Sequence, residues 1–523
     1  MPRLSIVASV ACWATFAVHT APAAAQAIDP ARAKADEDGA VLWYDLRLLD
    51  VEGQGWGDTK NRYDRLPAKA QGVVRPPVWN LGRQSAGLCV RFVTEAPAVH
   101  ARWTLTSANL AMPHMPATGV SGLDLYVRGD DGHWRWLANG RPTAQTNTAR
   151  LVNNLAPARR EFLLYLPLYN GVTSVEIGLP KGTTLARGPD RPPERQKPIV
   201  FYGTSITQGG CASRPGMVHT AILGRRFDRP VINLGFSGNG TMDPEVARLL
   251  GQLDPALFVL DCLPNMTPQQ VAERAEPFVR TLLKARPKTP VLLVEDRTFA
   301  NAFAHESTRR QHAARRAALR AAYDKLIADK AGGVHYLAGD TLIGGDSEAT
   351  VDGSHPTDLG FVRQAEVFAK AIAPLLPQPE QRAPVEGYTD QLSYQAGDEI
   401  KFHVSSAADR FDLEIARIGA ERVVVSKHEG LAGKQHPIPA DASSHGCRWP
   451  AAISLKVPAE WPSGYYTGRL TVSLPEGKTG RSELWFVVRS AHPGRDTKIL
   501  LQLATNTYNA YSNWGGYSLY AFN

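Results

Sequence analysis

Between Ile199 and Leu376 the chain alternates short, wholly apolar runs with longer segments of helical periodicity, and this alternation limits the fold more than any other feature. The apolar runs are IVFYGTS, VINLGFS, LFVLDCL, VLLVED and VHYLAGD. Runs of this kind fit strands that are buried on both faces, as in a parallel sheet covered by helices on each side. The sequence therefore predicts a central three-layer α/β/α domain with a parallel sheet over residues 195–378.

Both flanks of this region have a different pattern. Short β-rich runs such as LCVRFVT, HARWTL and SVEIGL are separated by Gly, Pro, Asn and Asp, and similar runs such as EIKFHVSS and ELWFVVRS follow the central region. Such spacing is typical of antiparallel sandwiches. We expect an N-terminal, jelly-roll-like β-sandwich over residues 38–185 and a C-terminal β-sandwich over residues 386–490.

The first 27 residues combine an early Arg, an apolar stretch and a small-residue end, AAAQA. This pattern predicts a signal peptide over residues 1–27, and hence a periplasmic or secreted protein. No later stretch is apolar enough to predict a membrane span. The net charge of +8 is mild for 523 residues and is not gathered into a basic arm, so nucleic acid is not an expected partner.

Four polar motifs follow the predicted strands of the central domain, at the edge where open parallel sheets bind ligands. They carry Ser205, Gly238, Asn265 and, three residues apart, Asp352 and His355. Taken singly, each has a structural explanation, since a serine at a helix start is usually an N-cap and the others suit turns. Together they supply a nucleophile, a base, a carboxylate to orient the base, and oxyanion donors.

The same motifs, GTSITQG, GFSGNG, LPN and DGSHP, resemble in this order the four blocks of the SGNH (GDSL-type) hydrolases. The resemblance implies a flavodoxin-like domain in which Ser205 is the nucleophile and His355 is the general base, oriented by Asp352. It also implies an oxyanion hole formed by the backbone N–H groups of Ser205 and Gly238 and by the side chain of Asn265. We expect no cofactor and no metal.

Two further resemblances lie outside the central domain. GLDLY, from Gly122, is similar to the GxDLY module that precedes some secreted SGNH hydrolases. The tail TNTYNAYSNWGGYSLY resembles the start of the C-terminal domain of the N,N-dimethylformamidase large subunit, which holds iron through tyrosines and a carboxylate. Because the chain stops at Asn523, we expect this region, residues 497–523, to be incomplete and to bind no metal. Its candidate ligands, Tyr508, Tyr511 and Tyr517, are then expected to be core aromatics.

These observations predict an exported serine esterase that hydrolyses acyl esters, O-acetyl groups on carbohydrate in particular, with a small-molecule or polysaccharide ester as its substrate. Two alternatives stay open: a carbohydrate-binding or scaffold protein with an inert SGNH domain, and an amidohydrolase whose site lies in the C-terminal region. The oligomeric state is not predicted.

Two structural expectations accompany this hypothesis. The linker LARGPDRPPERQKP is rich in proline and should be stiff, so we expect the N-terminal sandwich to pack on the hydrolase and form one wall of its cleft. Cys211 and Cys262 both lie close to the predicted site. Export permits a disulfide between them, and two separate buried thiols are equally consistent with the sequence.

Overall fold

The computed structural model describes residues 26–377, 383–439, 442–474 and 478–495, together with Leu503. The chain divides into two compact units between residues 378 and 379. Nearly all of the expected signal peptide lies outside the described residues, as do Tyr508, Tyr511 and Tyr517. No helix within the described ranges combines the length and the apolar character needed to cross a bilayer.

The N-terminal region is an antiparallel β-sandwich, as predicted. One sheet has the order β1-β2-β10-β5-β8 and the other the order β11-β4-β9-β6-β7, with β3 paired to β4. The strands are β1 (Lys34–Ala35), β2 (Val41–Asp45), β3 (Val51–Glu52), β4 (Cys89–Thr94), β5 (Val99–Leu105), β6 (Leu123–Arg128), β7 (Trp134–Gly140), β8 (Thr146–Val152), β9 (Arg160–Tyr165), β10 (Val172–Pro180) and β11 (Ala186–Arg187).

Burial in this sandwich follows the two-residue period of its strands. Along β5, alternate residues from Val99 to Leu105 are buried and their neighbours are only partly buried. In β4, by contrast, all six residues are buried. Phe92 of β4 packs in the core between the two sheets, whereas Cys89 belongs to a second cluster that also contains Ile206 of the central domain. One face of this sheet is therefore covered by the central domain.

The connection between β3 and β4, residues 53–88, is the part of the N-terminal region that departs most from a sandwich. It contains the helix α1 (Pro76–Gly82), and a second short helix, α2 (Ala117–Val120), precedes β6. Trp56, Leu66 and Val78 of the connection belong to the same hydrophobic cluster as side chains of the parallel sheet. The connection thus completes the core of the neighbouring domain.

The central domain has a five-stranded, all-parallel sheet with the order β13-β12-β14-β15-β16, which is the flavodoxin-like order 2-1-3-4-5. Its strands are β12 (Ile199–Gly203), β13 (Val231–Gly235), β14 (Leu257–Asp261), β15 (Val291–Val294) and β16 (Val334–Leu337). Its helices are α3 (Pro193–Gln196), α4 (Ser205–Gln208), α5 (His219–Phe227), α6 (Pro244–Leu250), α7 (Pro268–Ala285), α8 (Glu306–Ala328) and α9 (Asp358–Ile372).

The side chains of β12 show why this sheet needs cover on both faces. Val200 and Tyr202 lie in one hydrophobic cluster, and Ile199 and Phe201 lie in another on the opposite face. Helix α7 packs on the first side and α9 on the second, as their buried residues Phe278 and Phe368 show. The result is the predicted three-layer α/β/α arrangement.

The second compact unit is a β-sandwich, as predicted, with its own core around Phe402, Leu413 and Tyr466. Its sheets have the orders β17-β19-β22 and β18-β24-β23-β20-β21. The elements are β17 (Val385–Thr389), β18 (Ser393–Tyr394), β19 (Glu399–Ser406), β20 (Arg410–Ile418), β21 (Arg422–Ala432), α10 (Ala442–His445), β22 (Ala451–Lys456), β23 (Gly464–Ser473) and β24 (Thr479–Val488).

Candidate active site

The sheet register brings the ends of its three central strands together. Gly203 at the end of β12 lies between Gly235 of β13 and Asp261 of β14. The motifs that carry Ser205 and Gly238 follow the first two of these strands directly. Asn265 follows the third, in a 3₁₀ turn over Leu263–Asn265. The carboxyl edge of the sheet is therefore where the predicted site residues converge.

Ser205 is the first residue of α4 and is not its N-cap. The N-cap is Thr204, which stands where the GDS motif has Asp, and its Oγ1 accepts from the Ile206 N–H at 3.3 Å. The Ser205 hydroxyl is instead 2.8 Å from Nε2 of His355. The helix-cap role that a serine at a helix start usually has is thus filled by Thr204.

His355 is held by Asp352 through both its side chain and its backbone. Its Nδ1 lies 2.7 Å from Asp352 Oδ2, and its backbone N–H donates to Asp352 Oδ1 at 2.8 Å. The Ser354 N–H donates to the same oxygen at 3.0 Å. Partial burial by itself would raise the pKa of Asp352, but these hydrogen bonds outweigh it and the pKa is lowered. The carboxylate therefore stays ionised beside the imidazole at neutral pH.

The two predicted oxyanion donors outside α4 lie on adjoining loops. Gly238 has φ +68°, a left-handed conformation that favours glycine, and is exposed within the turn that follows β13. The Asn265 Oδ1 accepts from the Gly240 N–H at 3.2 Å. That bond occupies the amide oxygen and leaves the Nδ2 group of Asn265 as the donor.

Family models match all three parts of the chain. The GDSL-like lipase/acylhydrolase family matches residues 196–373. The N-terminus of SGNH-hydrolase-type esterases, named GxDLY, matches residues 41–185. The C-terminal model of N,N-dimethylformamidase beta subunit-like proteins matches residues 412–523, so this likeness begins within β20 and covers more of the chain than the tail motif alone indicated.

Solved structures give a closer comparison. A protein from Bacteroides ovatus described as a GDSL-like lipase is 33% identical, with a TM-score of 0.61, over 64% of this chain and 98% of that one. This chain belongs to the GDSL-like lipase/acylhydrolase family. It is accordingly an ester-bond hydrolase of the SGNH type.

Two further solved structures are less similar. A salicylyl-acyltransferase from a tetracycline biosynthetic pathway is 19% identical, with a TM-score of 0.51, over 66% of this chain and 97% of that one. A family two carbohydrate esterase from Clostridium thermocellum is 14% identical, with a TM-score of 0.42, over 55% and 92% of the two chains. None of the curated proteins matches this chain.

Two side chains of the N-terminal domain lie next to Ser205 and His355, and the sequence motifs did not indicate either of them. The Tyr169 hydroxyl donates to the backbone oxygen of Ser205 at 3.0 Å, and burial raises the pKa of this tyrosine. The exposed imidazole of His114 lies 5.9 Å from that of His355, centre to centre. Both residues come from loops of the sandwich, and no local pattern in the sequence relates them to the nucleophile.

A buried ion pair next to α4, the helix that begins at Ser205, is likewise not indicated by the motifs. Arg297, which follows β15, donates to both carboxylate oxygens of Asp261 at 2.9 and 2.7 Å, and both side chains are fully buried. Thr207 of α4 reaches the same carboxylate at 3.4 Å. Burial raises the pKa of Asp261 although Arg297 opposes it. Through Thr207, Asp261 and Arg297, the pair links α4 to β14 and to the segment that follows β15.

Cys211 and Cys262 are separate, buried thiols, as are the two other cysteines of the described residues. Burial, with a contribution from Asp352, raises the pKa of the Cys211 thiol to about 12. Of the two arrangements that the sequence left open, the structure has the one without a disulfide.

No group of three or more His, Cys, Asp and Glu side chains in the described ranges is arranged to hold a metal ion. The tyrosines of the dimethylformamidase-like tail lie outside those ranges. The absence of a metal from this family member thus stays a prediction.

Proposed function

We propose that this protein is an exported serine esterase that removes acyl groups, O-acetyl groups in particular, from carbohydrate through an acyl-serine intermediate. The observation that carries the proposal is the continuous chain of hydrogen bonds from the Ser205 hydroxyl through His355 to Asp352. Each member of this chain has the chemistry that its position requires.

The mechanism follows from that arrangement. His355 Nε2 takes the Ser205 proton as Oγ attacks the ester carbonyl, and the ionised Asp352 stabilises the imidazolium that forms. The N–H groups of Ser205 and Gly238 and the Nδ2 group of Asn265 donate to the developing oxyanion. His355 then protonates the departing alcohol, leaving the acyl group on Ser205. Water activated by the same imidazole releases the acid and restores the serine.

The surroundings of the triad support a hydroxylated alcohol portion in the substrate. The side chains that border it on the solvent side include the exposed His114 and Asn301, the latter against Gly353 of the loop that carries Asp352 and His355. Polar groups of this kind can hydrogen-bond sugar hydroxyls. The exported location rests on the N-terminal sequence, in which an early Arg precedes an apolar stretch with a small-residue end.

The proposal is tested with Ser205→Ala on p-nitrophenyl esters of increasing acyl length and on acetylated oligosaccharides. We expect at least roughly 10⁴-fold lower kcat, because the nucleophile is lost while the fold is retained. Ser213→Ala is the matched control, since its hydroxyl bonds to Asp358 and not to the triad. A fluorophosphonate probe should label Ser205 in the wild-type protein.

Retention of activity in Ser205→Ala would place the site elsewhere, as the amidohydrolase alternative requires. A wild-type protein that binds oligosaccharide but neither hydrolyses any ester nor reacts with the probe would be a binding protein with an inert SGNH domain. Hydrolysis of long acyl esters in clear preference to acetyl esters would retain the serine mechanism and reject the proposed substrate.

A further inference from the structure

We propose that the N-terminal domain is a working part of the catalytic site, because Arg75 and Gln84 hold the oxyanion turn, residues 237–241, in its active position. Both residues come from the connection between β3 and β4. In this arrangement they are positioning residues, which act through the Gly238 N–H and the Asn265 amide rather than by touching the substrate. The inference rests on the oxyanion roles given to these two donors above.

Every nitrogen of the Arg75 guanidinium donates a hydrogen bond at, or just beyond, the C-terminal end of the oxyanion turn. Its Nη1 donates to Asn239 Oδ1 at 2.8 Å, and its Nη2 donates to the Asn239 carbonyl at 3.1 Å and to Thr241 Oγ1 at 2.9 Å. Its Nε completes an ion pair with the buried carboxylate of Asp243 at 2.9 Å. Several bonds from one planar group fix orientation as well as distance.

Gln84 reaches the near end of the turn through Gln208 of α4. The Gln208 Nε2 donates to Gln84 Oε1, and Gln208 Oε1 accepts from the Ser237 N–H at 3.1 Å. Gln208 lies three residues after the nucleophile and is fully buried. The residue before Gly238 is therefore tied both to the nucleophile helix and to the N-terminal domain.

The turn between these two attachments needs such support. It contains glycines at 238 and 240, one of them at positive φ, and lies outside regular secondary structure. Gly240 also lies against the end of β12, where a Cβ atom would come 2.2 Å from the Gly203 carbonyl. Its N–H binds the Asn265 Oδ1, so a shift of the turn would displace both donors together. Fixed donors are what makes an oxyanion hole effective.

The matched control is Arg274 of α7. Its Nη1 also donates to the Thr241 carbonyl, at 3.0 Å, and to Asp243, at 3.1 Å, but it makes no hydrogen bond to Asn239. Arg75→Met and Arg274→Met therefore remove similar charges beside Asp243, and only the first releases the turn next to Gly238. Gln84→Leu weakens the other attachment, in which Gln208 Nε2 keeps its bond to the Leu168 carbonyl at 3.2 Å.

For Arg75→Met we expect kcat on p-nitrophenyl acetate to fall about 10- to 30-fold, with KM within about twofold of wild type. A misplaced donor stabilises the transition state less but does not change the binding of the substrate. Arg274→Met should stay within about threefold of wild type, and Arg75→Lys should recover part of the loss. In an Asn265→Ala background, Arg75→Met should cost less than about threefold, because the two changes affect the same interaction.

Amide hydrogen exchange of a peptide covering residues 236–242 gives a readout that does not depend on activity. Arg75→Met should raise its exchange rate about 10-fold, Gln84→Leu should raise it less, and Arg274→Met should leave it unchanged. Equal kcat values for Arg75→Met and Arg274→Met, or unchanged exchange, would overturn the inference. If the wild-type protein neither hydrolyses esters nor reacts with the probe, the proposed function fails, and exchange alone then decides whether the turn is braced.

Discussion

The N-terminal and C-terminal β regions arise from the same kind of sequence, short β-rich runs broken by turn residues, and both are sandwiches. They differ in where their hydrophobic side chains go. The N-terminal region buries Trp56, Leu66 and Val78 in the core of the hydrolase domain. The C-terminal region builds a compact unit around its own core. Similar strand patterns thus give one region that shares a hydrophobic core with the hydrolase domain and another that has a core of its own.

The difference lies in a connection as well as in the strands, since Cys89 of β4 also packs against the central domain. Within residues 53–88, Arg65 is fully buried, and its four hydrogen bonds go to backbone carbonyls, two of them on Asn233 and Gly235 of β13. Burial lowers the pKa of this guanidinium to about 9. Burying a charged group is costly, and the hydrogen bonds that offset this cost come from both domains. The sandwich and the hydrolase domain are therefore distinct in sequence, but we expect them to fold as one unit.

The largest expected effect comes from removing each region in turn. A chain lacking residues 41–185 should yield no folded esterase, because the parallel sheet would lose part of its cover and expose apolar side chains. A chain ending at residue 377 should keep kcat/KM on p-nitrophenyl acetate within about twofold of the full-length protein, since the triad and its supports all lie in the first unit. Soluble yield, calorimetry and esterase assays check both outcomes.

A soluble, active chain without residues 41–185 would show that the shared cluster is dispensable. Loss of activity on shortening at residue 377 would contradict the independence expected of the first unit.

The sequence was sufficient for features that depend on local periodicity. The five strands of the parallel sheet and the long helix α8, which begins at Glu306, lie where the alternation of apolar and helical segments places them. The residues of the four motifs meet because parallel strands share one carboxyl edge. Contacts between distant segments leave no such pattern. Nothing in VVRPPVWNL, around Arg75, indicates that its guanidinium binds Asn239, some 160 residues later.

The sequence also left the cysteines undecided for a physical reason. Closeness to the same sheet edge does not determine whether two sulfur atoms can bond, because a disulfide depends on Cα separation and on the direction of both side chains. The extent of the dimethylformamidase-like region was likewise underestimated. Its aromatic tail motif is distinctive, whereas β20 and the strands after it resemble those of any sandwich.

A matched pair of core substitutions sharpens the comparison. Leu66 and Leu413 are each 1% exposed, the first in the shared core and the second in the C-terminal core. Truncation to alanine should cost about 2–5 kcal/mol at either position. Leu66→Ala should lower the temperature at which the esterase is inactivated, and Leu413→Ala should leave it unchanged while lowering a separate calorimetric transition. Equal effects on inactivation would mean that the two units unfold together.

A smaller effect is expected from a buried ion pair of the N-terminal region. Glu52 binds Arg91 and Arg191 at 2.6 and 2.8 Å, and the arginine side chains are 9% exposed. Burial alone would raise the pKa of Glu52, but the two arginines lower it below its ordinary value of 4.5. Because the folded pKa is the lower one, this carboxylate stabilises the fold above about pH 4.5, and the contribution is lost as the pH falls through the folded value.

Glu52→Gln should therefore destabilise the protein by roughly 2 kcal/mol at pH 7, since the amide keeps an acceptor but loses the charge, and by progressively less below pH 4.5. Glu414 of the C-terminal unit, which pairs with Arg422 and Lys427 in a more exposed setting, provides the control. Glu414→Gln should cost at most about 1 kcal/mol. Urea unfolding at pH 7 and pH 3.5 measures both, and a Glu52 effect that grows with acidification would contradict the assignment.

The smallest expected effect tests the prediction that the N-terminal domain forms one wall of the cleft. His114 lies in a turn whose flanking residues, Met112 and Met115, exchange backbone hydrogen bonds at 3.0 and 3.1 Å. Met115 is 2% exposed and packs in the cluster that contains Ile206, the residue after Ser205. The turn is thus anchored beside the site, and the exposed imidazole lies 5.9 Å from that of His355.

His114→Ala should lower kcat/KM on an acetylated oligosaccharide about 3- to 10-fold, the loss of one or two polar contacts, and leave p-nitrophenyl acetate within twofold. His133→Ala, on an exposed turn of the same sandwich, is the control and should change neither substrate. We expect a small aryl ester to end before it reaches the sandwich and a sugar to extend along it. Equal losses on both substrates would show that His114 acts on the triad itself, and no loss on either would show that this turn only covers the domain beneath it.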